Sequence, residues 1–555
     1  MFRQALLVTA CAGAALALFA CGGSDDAIAV SSQDAMQTTT PIKHLVVIYG
    51  ENISFDHYFG TYPNATNPQG EPAFTAAANT PAVNGLSGTL LTANPNFTNA
   101  ANGTGAANPF RLDRTQAATA DQNHAYTAEQ LAEDNGLADL FPKYTGKGSS
   151  GGAGAFGTKG QVMGYFDGNT VTALWNYAQR FAMSDNMYTT SYGPSTPGAL
   201  NVISGQTNGM QIVKTMKQPS TLAASSYYIN DGQGGFTMIN DVDPGYDVCS
   251  STTDQAMMAG KNIGDLLNGA KITWGGFMGG FNLSTVNGNG TTGCGRSTVA
   301  TAVNAATTDY IPHHNWFQYY ASTANPQHTR PSSLAAIGSS VQADGKTAEP
   351  ANHQYDTDDF FAAVKSGNFP SVSFLKAPAA QDGHAGYSDP LDEQAFVTKV
   401  VNFLQQQPDW QNTAVIVTYD DSDGWYDHVY AAPTHASFDA VDQLNGSGKC
   451  GTGAAGAGVN GQPVNGRCGP GVRIPLVVIS PYAKQNYVDH TMIDQASVVR
   501  FIEDNWLGGQ RIGGGSFDAS AGDLRGLFDF ASKPNTTPLY LDPTLGTALG
   551  SAPAI

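Results

Sequence analysis

The sequence has 555 residues, of which 26 are lysine or arginine and 45 are aspartate or glutamate, so the formal net charge is −19. Proteins that bind nucleic acid place many cations against the phosphates, so this composition argues against a nucleic-acid partner. Charged residues make up 13% of the chain, against the usual ~25%, while 41% of the residues are hydrophobic. The composition therefore predicts a folded globular protein with a large core and many loops.

The N-terminal segment has the features of a bacterial export signal. A single cation is followed by an apolar run over residues 5–20, which is too short to span a membrane comfortably and ends in small residues. Because Leu18-Phe19-Ala20-Cys21 resembles a lipobox, we expect a lipoprotein signal peptide at 1–20, lipid on Cys21 and a flexible tether at 21–40. Ordinary signal cleavage beside a coincidental cysteine is the alternative. The expected location is the periplasm or the outer membrane, with membrane contact only through Cys21.

Four of the six cysteines lie beyond this segment: Cys249, Cys294, Cys450 and Cys468. An even number in an oxidising compartment predicts two disulfides. Four cysteines allow three pairings, of which the simplest is Cys249 with Cys294 and Cys450 with Cys468. The last two bracket a loop rich in glycine, alanine and asparagine, which gains much from a crosslink.

Short apolar runs alternate with amphipathic helical patterns along the chain. The runs cover residues 44–49, 370–375, 413–418 and 474–479 and are rich in β-branched side chains, as expected of buried strands. Apolar residues recur on one helical face at 171–181 and at 396–404. This alternation predicts an α/β fold with a mostly parallel central sheet, helices on both faces and long loop insertions near 63–109, 145–160 and 440–470.

Polar residues follow three of the predicted strands, and ligands of such sheets bind beyond the carboxyl ends of the strands. These residues are Glu51 and Asn52 after the first run, His384 after the second, and Asp420, Asp421 and Asp423 after the third. Buried carboxylates repel one another, so the acidic cluster at 420–423 indicates a divalent metal ion. An exposed acidic turn is the alternative.

Two hydroxyl side chains stand just before another predicted helix. Residues 191–198 favour turns and lead into a helical stretch at 199–203, with Pro197 near its first turn. Ser195 and Thr196 therefore lie where backbone N–H groups and the helix dipole favour an anion. This segment alone favours the interpretation of both as simple N-caps.

Three motifs together resemble one bacterial family: residues 43–60, Gly193-Pro194-Ser195-Thr196-Pro197, and residues 418–428. They resemble the phosphoesterase family that contains acid phosphatases and phospholipases C, in the alkaline phosphatase-like superfamily. The segment around Ser195 is more similar to the acid phosphatase branch, because the phospholipases usually have threonine at that position. The resemblance implies an alkaline phosphatase-like phosphoesterase domain over residues 41–545.

The resemblance also implies the roles of particular side chains. Ser195 is the expected nucleophile, and one divalent metal ion of unknown identity is expected on Glu51, Asn52, Ser195, Asp420 and Asp421. His124 and His384 are expected to be catalytic, with His384 as the first choice for general acid, and His313 and His314 are expected to bind substrate. We expect imidazoles to donate to the phosphate in a lysine-poor site. Four other histidines are expected to be structural or on the surface: His57, His353, His428 and His490.

The expected function is that of an exported acid phosphatase, which hydrolyses phosphate monoesters through a phosphoserine intermediate with metal assistance. A phospholipase C that acts on phosphodiesters is the first alternative. A non-catalytic surface lipoprotein is the second, but the presence of Ser195 together with the expected metal ligands argues against it. The sequence leaves the oligomeric state open.

Overall fold

The computed structural model describes residues 37–214 and 227–554. The predicted signal peptide, Cys21 and most of the predicted tether lie outside these residues. The described end of the tether is held by the domain, since the Thr39 N–H donates to the Asn505 carbonyl at 3.0 Å and the Thr40 N–H to Asn505 Oδ1 at 2.9 Å. Within the described ranges, no helix has the length and apolar character needed to cross a membrane.

In chain order the described strands are β1 His44–Gly50, β2 Phe110–Leu112, β3 Gly164–Phe166, β4 Ala182–Ser184, β5 Met187–Tyr188, β6 Asn208–Lys214, β7 Tyr228–Asn230, β8 Phe236–Met238, β9 Asp243–Pro244, β10 Gln255–Met258, β11 Trp274–Met278, β12 Ser297–Val299, β13 Ala306–Thr308, β14 Gln354–Tyr355, β15 Val372–Lys376, β16 Thr413–Tyr419, β17 Leu476–Ile479, β18 Tyr487–Asp489 and β19 Ile493–Asp494. The α-helices are α1 Phe55–Phe59, α2 Thr89–Thr92, α3 Pro95–Thr98, α4 Tyr126–Glu133, α5 Phe141–Tyr144, α6 Thr172–Arg180, α7 Ser195–Ser204, α8 Ile263–Ala270, α9 Thr357–Lys365, α10 Pro390–Leu404 and α11 Ala496–Trp506.

An eight-stranded sheet with the order β14-β11-β15-β1-β16-β17-β4-β18 forms the centre of the fold. The four predicted strands are its middle members β15, β1, β16 and β17. Only β17 is antiparallel to its neighbours in this sheet; the other adjacent pairs are parallel. The predicted α/β fold with a mostly parallel sheet is confirmed.

Helices cover both faces of this sheet. Every residue of β1, β15 and β16 is buried, as expected when neither face meets water. Ile48 lines a small cavity with Phe396 and Val397 of α10, whereas the Tyr49 hydroxyl accepts from Gln495 Nε2, just before α11, at 3.3 Å. Neighbouring residues of a strand point to opposite faces, so α10 and the start of α11 lie on opposite sides.

Two disulfides link the pairs Cys249–Cys294 and Cys450–Cys468, with Cα–Cα distances of 5.3 and 5.8 Å. The predicted pairing is confirmed. The second disulfide links residues 450 and 468 within the connection between β16 and β17, in which the structure has no helix or strand. Disulfides of this kind fit an oxidising compartment.

A buried group of charged side chains fixes the position of helix α1, which begins three residues after Asn52. The Arg473 guanidinium is fully buried and donates to Asp427 Oδ1 at 3.1 Å and to Asp56 Oδ1 at 3.1 Å. Its carbonyl accepts from the Phe55 N–H at 2.8 Å. These contacts fix the chain that leaves β1 and carries the first predicted site residues.

The histidine of this group makes stability depend on pH. The ring nitrogens of His428 lie 2.6 Å from Asp56 Oδ2 and 3.2 Å from Asn84 Oδ1, so an imidazolium donates to both. Burial lowers the pKa of His428, but the charge of Asp56 and its hydrogen bond outweigh burial and raise the pKa above its usual value. The resulting stabilisation is present below the pKa of the unfolded chain and is lost as the pH rises through the folded pKa.

We therefore expect His428→Gln to lower the free energy of unfolding more at about pH 5.5 than at about pH 9. The two losses should differ by on the order of 1 kcal/mol. Urea unfolding of both proteins at both pH values measures the difference. His490→Gln is the control, because His490 pairs with Asp185 at an exposed position, where ion pairs contribute little. An equal loss for His428→Gln at both pH values would contradict the prediction.

Candidate active site

Ser195 lies at the start of α7 and points at two carboxylates. Its Oγ is 2.9 Å from Glu51 Oε2 and 3.2 Å from Asp421 Oδ2, and the residue is 1% exposed. The N-cap of α7 is Pro194, and no side chain caps the helix. Ser195 is therefore not an N-cap, and its hydroxyl is free for chemistry with the acidic cluster.

Thr196, the other candidate hydroxyl, is oriented differently. Its Oγ1 donates to the His313 carbonyl at 3.1 Å, and its backbone N–H donates to Asp241 Oδ1 at 2.9 Å. Both groups of Thr196 thus have structural partners. The structure thus separates two hydroxyls that residues 191–198 alone left equivalent.

The start of α7 approaches the loop after β16 closely. A Cβ atom on Gly198 would lie 2.1 Å from the Asp420 carbonyl oxygen, so only glycine fits. Glu129 of α4 joins the same two segments, because its Oε2 accepts from the Gly193 N–H at 3.1 Å and its Oε1 from Ser422 Oγ at 2.6 Å. The positions of Ser195 and of the acidic loop are therefore coupled.

The acidic cluster follows from the register of two parallel strands. Gly50 at the end of β1 pairs with Tyr419 at the end of β16, so Glu51 and Asp420 leave the sheet side by side. Asn52 has a left-handed backbone with φ 64°, and its N–H donates to Asp420 Oδ1 at 2.9 Å. Its Nδ2 donates to Asp423 Oδ1 at 3.1 Å, which leaves the Asn52 amide oxygen free.

The cluster has oxygen atoms suited to a metal ion. Asn52 Oδ1, Asp420 Oδ2 and Asp423 Oδ2 are buried and accept no hydrogen bond from any residue that the structure describes. Burial and the charge of Asp420 raise the pKa of Glu51 and of Asp421 well above the usual range. A divalent cation would offset this charge, and oxygen donors suit a hard or borderline ion. Ser195 contacts Glu51 and Asp421, and Asn52 contacts Asp420. The free oxygens of Asn52 and Asp420 fit such an ion, and the role of the five expected ligands stays a prediction.

Lys376 is a site residue that the sequence analysis missed. It ends β15, is 1% exposed, and its ammonium forms an ion pair with Glu51 Oε1. The site thus contains one lysine beside the expected imidazoles, and which of these groups donate to phosphate stays a prediction. Lys376 directly follows the predicted run 370–375, so the same rule that selected Glu51 at a strand end could have found it.

The four expected histidines line the site in a row. Ring centroids are 6.3 Å apart for His124 and His384, 6.2 Å for His384 and His314, and 4.5 Å for His314 and His313. His384 is brought there by the loop between β15 and α10, where its Nδ1 lies 2.5 Å from the Ala385 carbonyl.

The protonation of these imidazoles differs. Burial lowers the pKa of His124, but Asp421 and Asp423 outweigh burial and raise it well above the usual value; Asp423 Oδ1 is 3.1 Å from Nδ1. Burial lowers the pKa of His384 to about 4. The pKa values of the two imidazoles are therefore shifted in opposite directions.

The adjacent residues His313 and His314 also differ. His314 is 2% exposed, its Nδ1 is 3.1 Å from Glu51 Oε1, and burial lowers its pKa well below the usual value. The His313 side chain reaches the edge of the site, 3.4 Å from Asp243 Oδ1. Burial lowers its pKa, but the bond to Asp243 outweighs this and the net shift is upward.

The remaining histidines that the sequence analysis considered lie away from this row. His57 Nδ1 is 2.8 Å from the Gly164 carbonyl, and His353 Nδ1 is 2.9 Å from the Trp274 carbonyl, both in the core. His428 belongs to the Arg473 group, and His490 is exposed. Each has a structural or surface position.

The sequence matches the phosphoesterase family over residues 42–507, so the chain belongs to this family. The resemblance of the three motifs to the phosphoesterase family is confirmed.

Several curated relatives are phospholipases C. The non-hemolytic phospholipase C of Burkholderia pseudomallei is 24% identical over 533 residues, which are 93% of this chain and 63% of that protein. Phospholipase C A of Mycobacterium tuberculosis is 26% identical over 525 residues, 91% of this chain and 81% of that protein. The non-hemolytic phospholipase C of Pseudomonas aeruginosa is 32% identical over 183 residues, 32% of this chain and 25% of that protein. The chain thus covers less than two thirds of the Burkholderia and Pseudomonas proteins.

Among solved structures, a protein in the alkaline phosphatase superfamily from Vibrio parahaemolyticus aligns with a TM-score of 0.27 and 12% identity. The alignment covers 63% of this chain and 62% of that one.

The contact between α7 and the acidic loop predicts that Gly198→Ala destabilises the protein. The added methyl would meet a backbone carbonyl, so we expect a loss of about 1–3 kcal/mol in the free energy of unfolding, as for other overpacked sites. Gly269→Ala in α8 is the matched control, because a Cβ there meets nothing within 4 Å. That change should stabilise by ~0.5–1 kcal/mol. Denaturant titrations measure both; unchanged stability in Gly198→Ala would contradict the close approach.

Proposed function

We propose that this protein hydrolyses phosphoric esters with Ser195 as the nucleophile, and that phosphate monoesters are its substrates. The observation that carries the proposal is the position of the Ser195 hydroxyl between Glu51 and Asp421, with a carboxylate oxygen at 2.9 Å. A serine hydroxyl is a weak nucleophile until a base or a metal ion activates it. The neighbouring Thr196 hydroxyl is bound to a backbone carbonyl instead.

In the proposed reaction, Ser195 Oγ forms a bond to phosphorus while the bond from phosphorus to the leaving alcohol breaks. A carboxylate of the cluster takes the serine proton, and a histidine of the row, in its protonated form, donates one to the alcohol. His384 is the expected general acid, and His124, whose pKa is raised, is the other candidate. Water then hydrolyses the phosphoserine. A divalent ion on Glu51, Asn52, Ser195, Asp420 and Asp421 would supply Lewis acidity and charge to this site.

Hydrolysis of phosphodiesters is the second candidate activity, and the names of the relatives favour it. Relatives that match more than nine tenths of this chain are phospholipases C. Serine at position 195 supports the monoesterase, since the resemblance at that segment is to the acid phosphatase branch. Comparing kcat/KM for p-nitrophenyl phosphate and p-nitrophenyl phosphorylcholine separates the two, and a preference for the diester would replace our assignment.

We also propose that the protein is exported and anchored by lipid on Cys21. The proposal is supported by the sequence at 1–21, and the two disulfides fit an oxidising compartment.

Ser195→Ala should lower kcat by roughly 10³-fold or more, a loss of ~4 kcal/mol in transition-state stabilisation, because it removes the nucleophile. Thr196→Ala is the matched control and should retain most of the activity. Steady-state kinetics on p-nitrophenyl phosphate, with circular dichroism to verify folding, measures both. An inactive Thr196→Ala variant together with an active Ser195→Ala variant would show that Thr196, and not Ser195, is the nucleophile.

Asp420→Asn should reduce both the bound metal and the activity, since it removes charge from an oxygen that has no other partner. Elemental analysis of the purified protein gives the metal content, and Asp344→Asn, at an exposed turn, is the control. Full activity after chelation, in protein shown to be metal-free, would disprove metal assistance. The role of Ser195 as the nucleophile would then be decided by the Ser195→Ala experiment alone.

A further inference from the structure

A second group of ligand-type side chains adjoins the acidic cluster on the side of β15. It consists of Glu51, His314 and Asp382, whose ligand atoms lie within 4.8 Å of one another. His314 Nδ1 is 3.1 Å from Glu51 Oε1 and 3.9 Å from Asp382 Oδ2. All three residues are at most 2% exposed. We call this group the Glu51–His314–Asp382 triad.

Glu51 belongs to both groups through different oxygen atoms. Its Oε2 faces Ser195 at 2.9 Å, whereas its Oε1 faces the triad. His314 Nδ1 is buried and makes no hydrogen bond with any residue in 37–214 or 227–554. One imidazole nitrogen and two carboxylates form a donor set that binds zinc-like divalent ions in proteins. The triad thus has the chemistry of a cation site that is distinct from the acidic cluster.

The cation that occupies this place belongs to the chain itself. The Lys376 ammonium forms an ion pair with Glu51 Oε1, the oxygen that His314 also faces. Lys376 is almost fully buried, and its Nζ lies 5.1 Å from the centre of the Tyr49 ring, which is favourable for a cation. A lysine ammonium is a compact point charge. A divalent ion beside it would be repelled strongly in this dry environment.

We propose that the Lys376 ammonium occupies a second cation site formed by Glu51, His314 and Asp382, and that it limits the protein to one metal ion. The inference builds on the proposed metal ion at the acidic cluster. It makes a separate claim, namely that the positive charge next to His314 is covalently part of the chain. Chelation therefore cannot remove it.

Metal stoichiometry tests this inference without reference to activity. The full chain is stripped of metal, equilibrated with excess Zn²⁺, freed of unbound ion by gel filtration and analysed by mass spectrometry for zinc per chain. We expect one equivalent for the wild type and two for Lys376→Ala, which frees the triad. Lys376→Arg is the matched control that keeps the charge, and it should stay at one. His314→Ala added to Lys376→Ala should return the value to one.

Near-UV circular dichroism shows whether each variant is folded, and Lys376→Gln replaces Lys376→Ala if that variant unfolds. A folded variant without the lysine charge that still binds one equivalent would overturn the inference, as would two equivalents in the wild type. No bound zinc in the wild type would overturn both this inference and the proposed metal site. One equivalent in the wild type and two in Lys376→Ala support the inference even if no phosphoester is hydrolysed, in which case only the proposed function fails.

Discussion

Buried negative charge is the constraint on which this molecule depends. Five carboxylates at the carboxyl edge of the central sheet are at most 2% exposed: Glu51, Asp382, Asp420, Asp421 and Asp423. Unpaired carboxylates are costly in a dry environment, so each must face donors or cations. Backbone N–H groups supply part of this compensation, since Asp420 Oδ1 accepts from Asn52 and Asp421, and Asp421 Oδ1 accepts from Asp423. Lys376 supplies positive charge, and the free oxygens of Asn52 and Asp420 belong to the expected metal ligands.

The sheet makes this concentration of charge possible. The parallel register of β1 and β16 places two acidic strand ends side by side, and Gly198 lets α7 bring Ser195 against them. Glu129 then ties the segment before Ser195 to the acidic loop. The geometry of the nucleophile therefore follows from strand register and from one position without a side chain.

Sequence patterns predicted the middle of the sheet but not its edges. The strands β15, β1, β16 and β17 are continuous apolar runs, whereas β4 and β18 have three residues each, too few to show a period. The direction of β17 also escaped prediction. It follows a connection of more than fifty residues without a helix. The strands β16 and β17 therefore do not form the strand–helix–strand unit that makes neighbours parallel. The acidic strand ends and their convergence could be predicted, because parallel strands deliver them to one edge.

The differences among the basic side chains could not be predicted, since they depend on burial and on partners that are distant in sequence. His313 and His314 are neighbours in the chain, yet the pKa of one is raised by Asp243 and that of the other is lowered by burial. Glu51 shows the same dependence on three-dimensional context. One of its oxygens faces the Ser195 hydroxyl and the other faces Lys376, so a single carboxylate connects the nucleophile to a built-in cation.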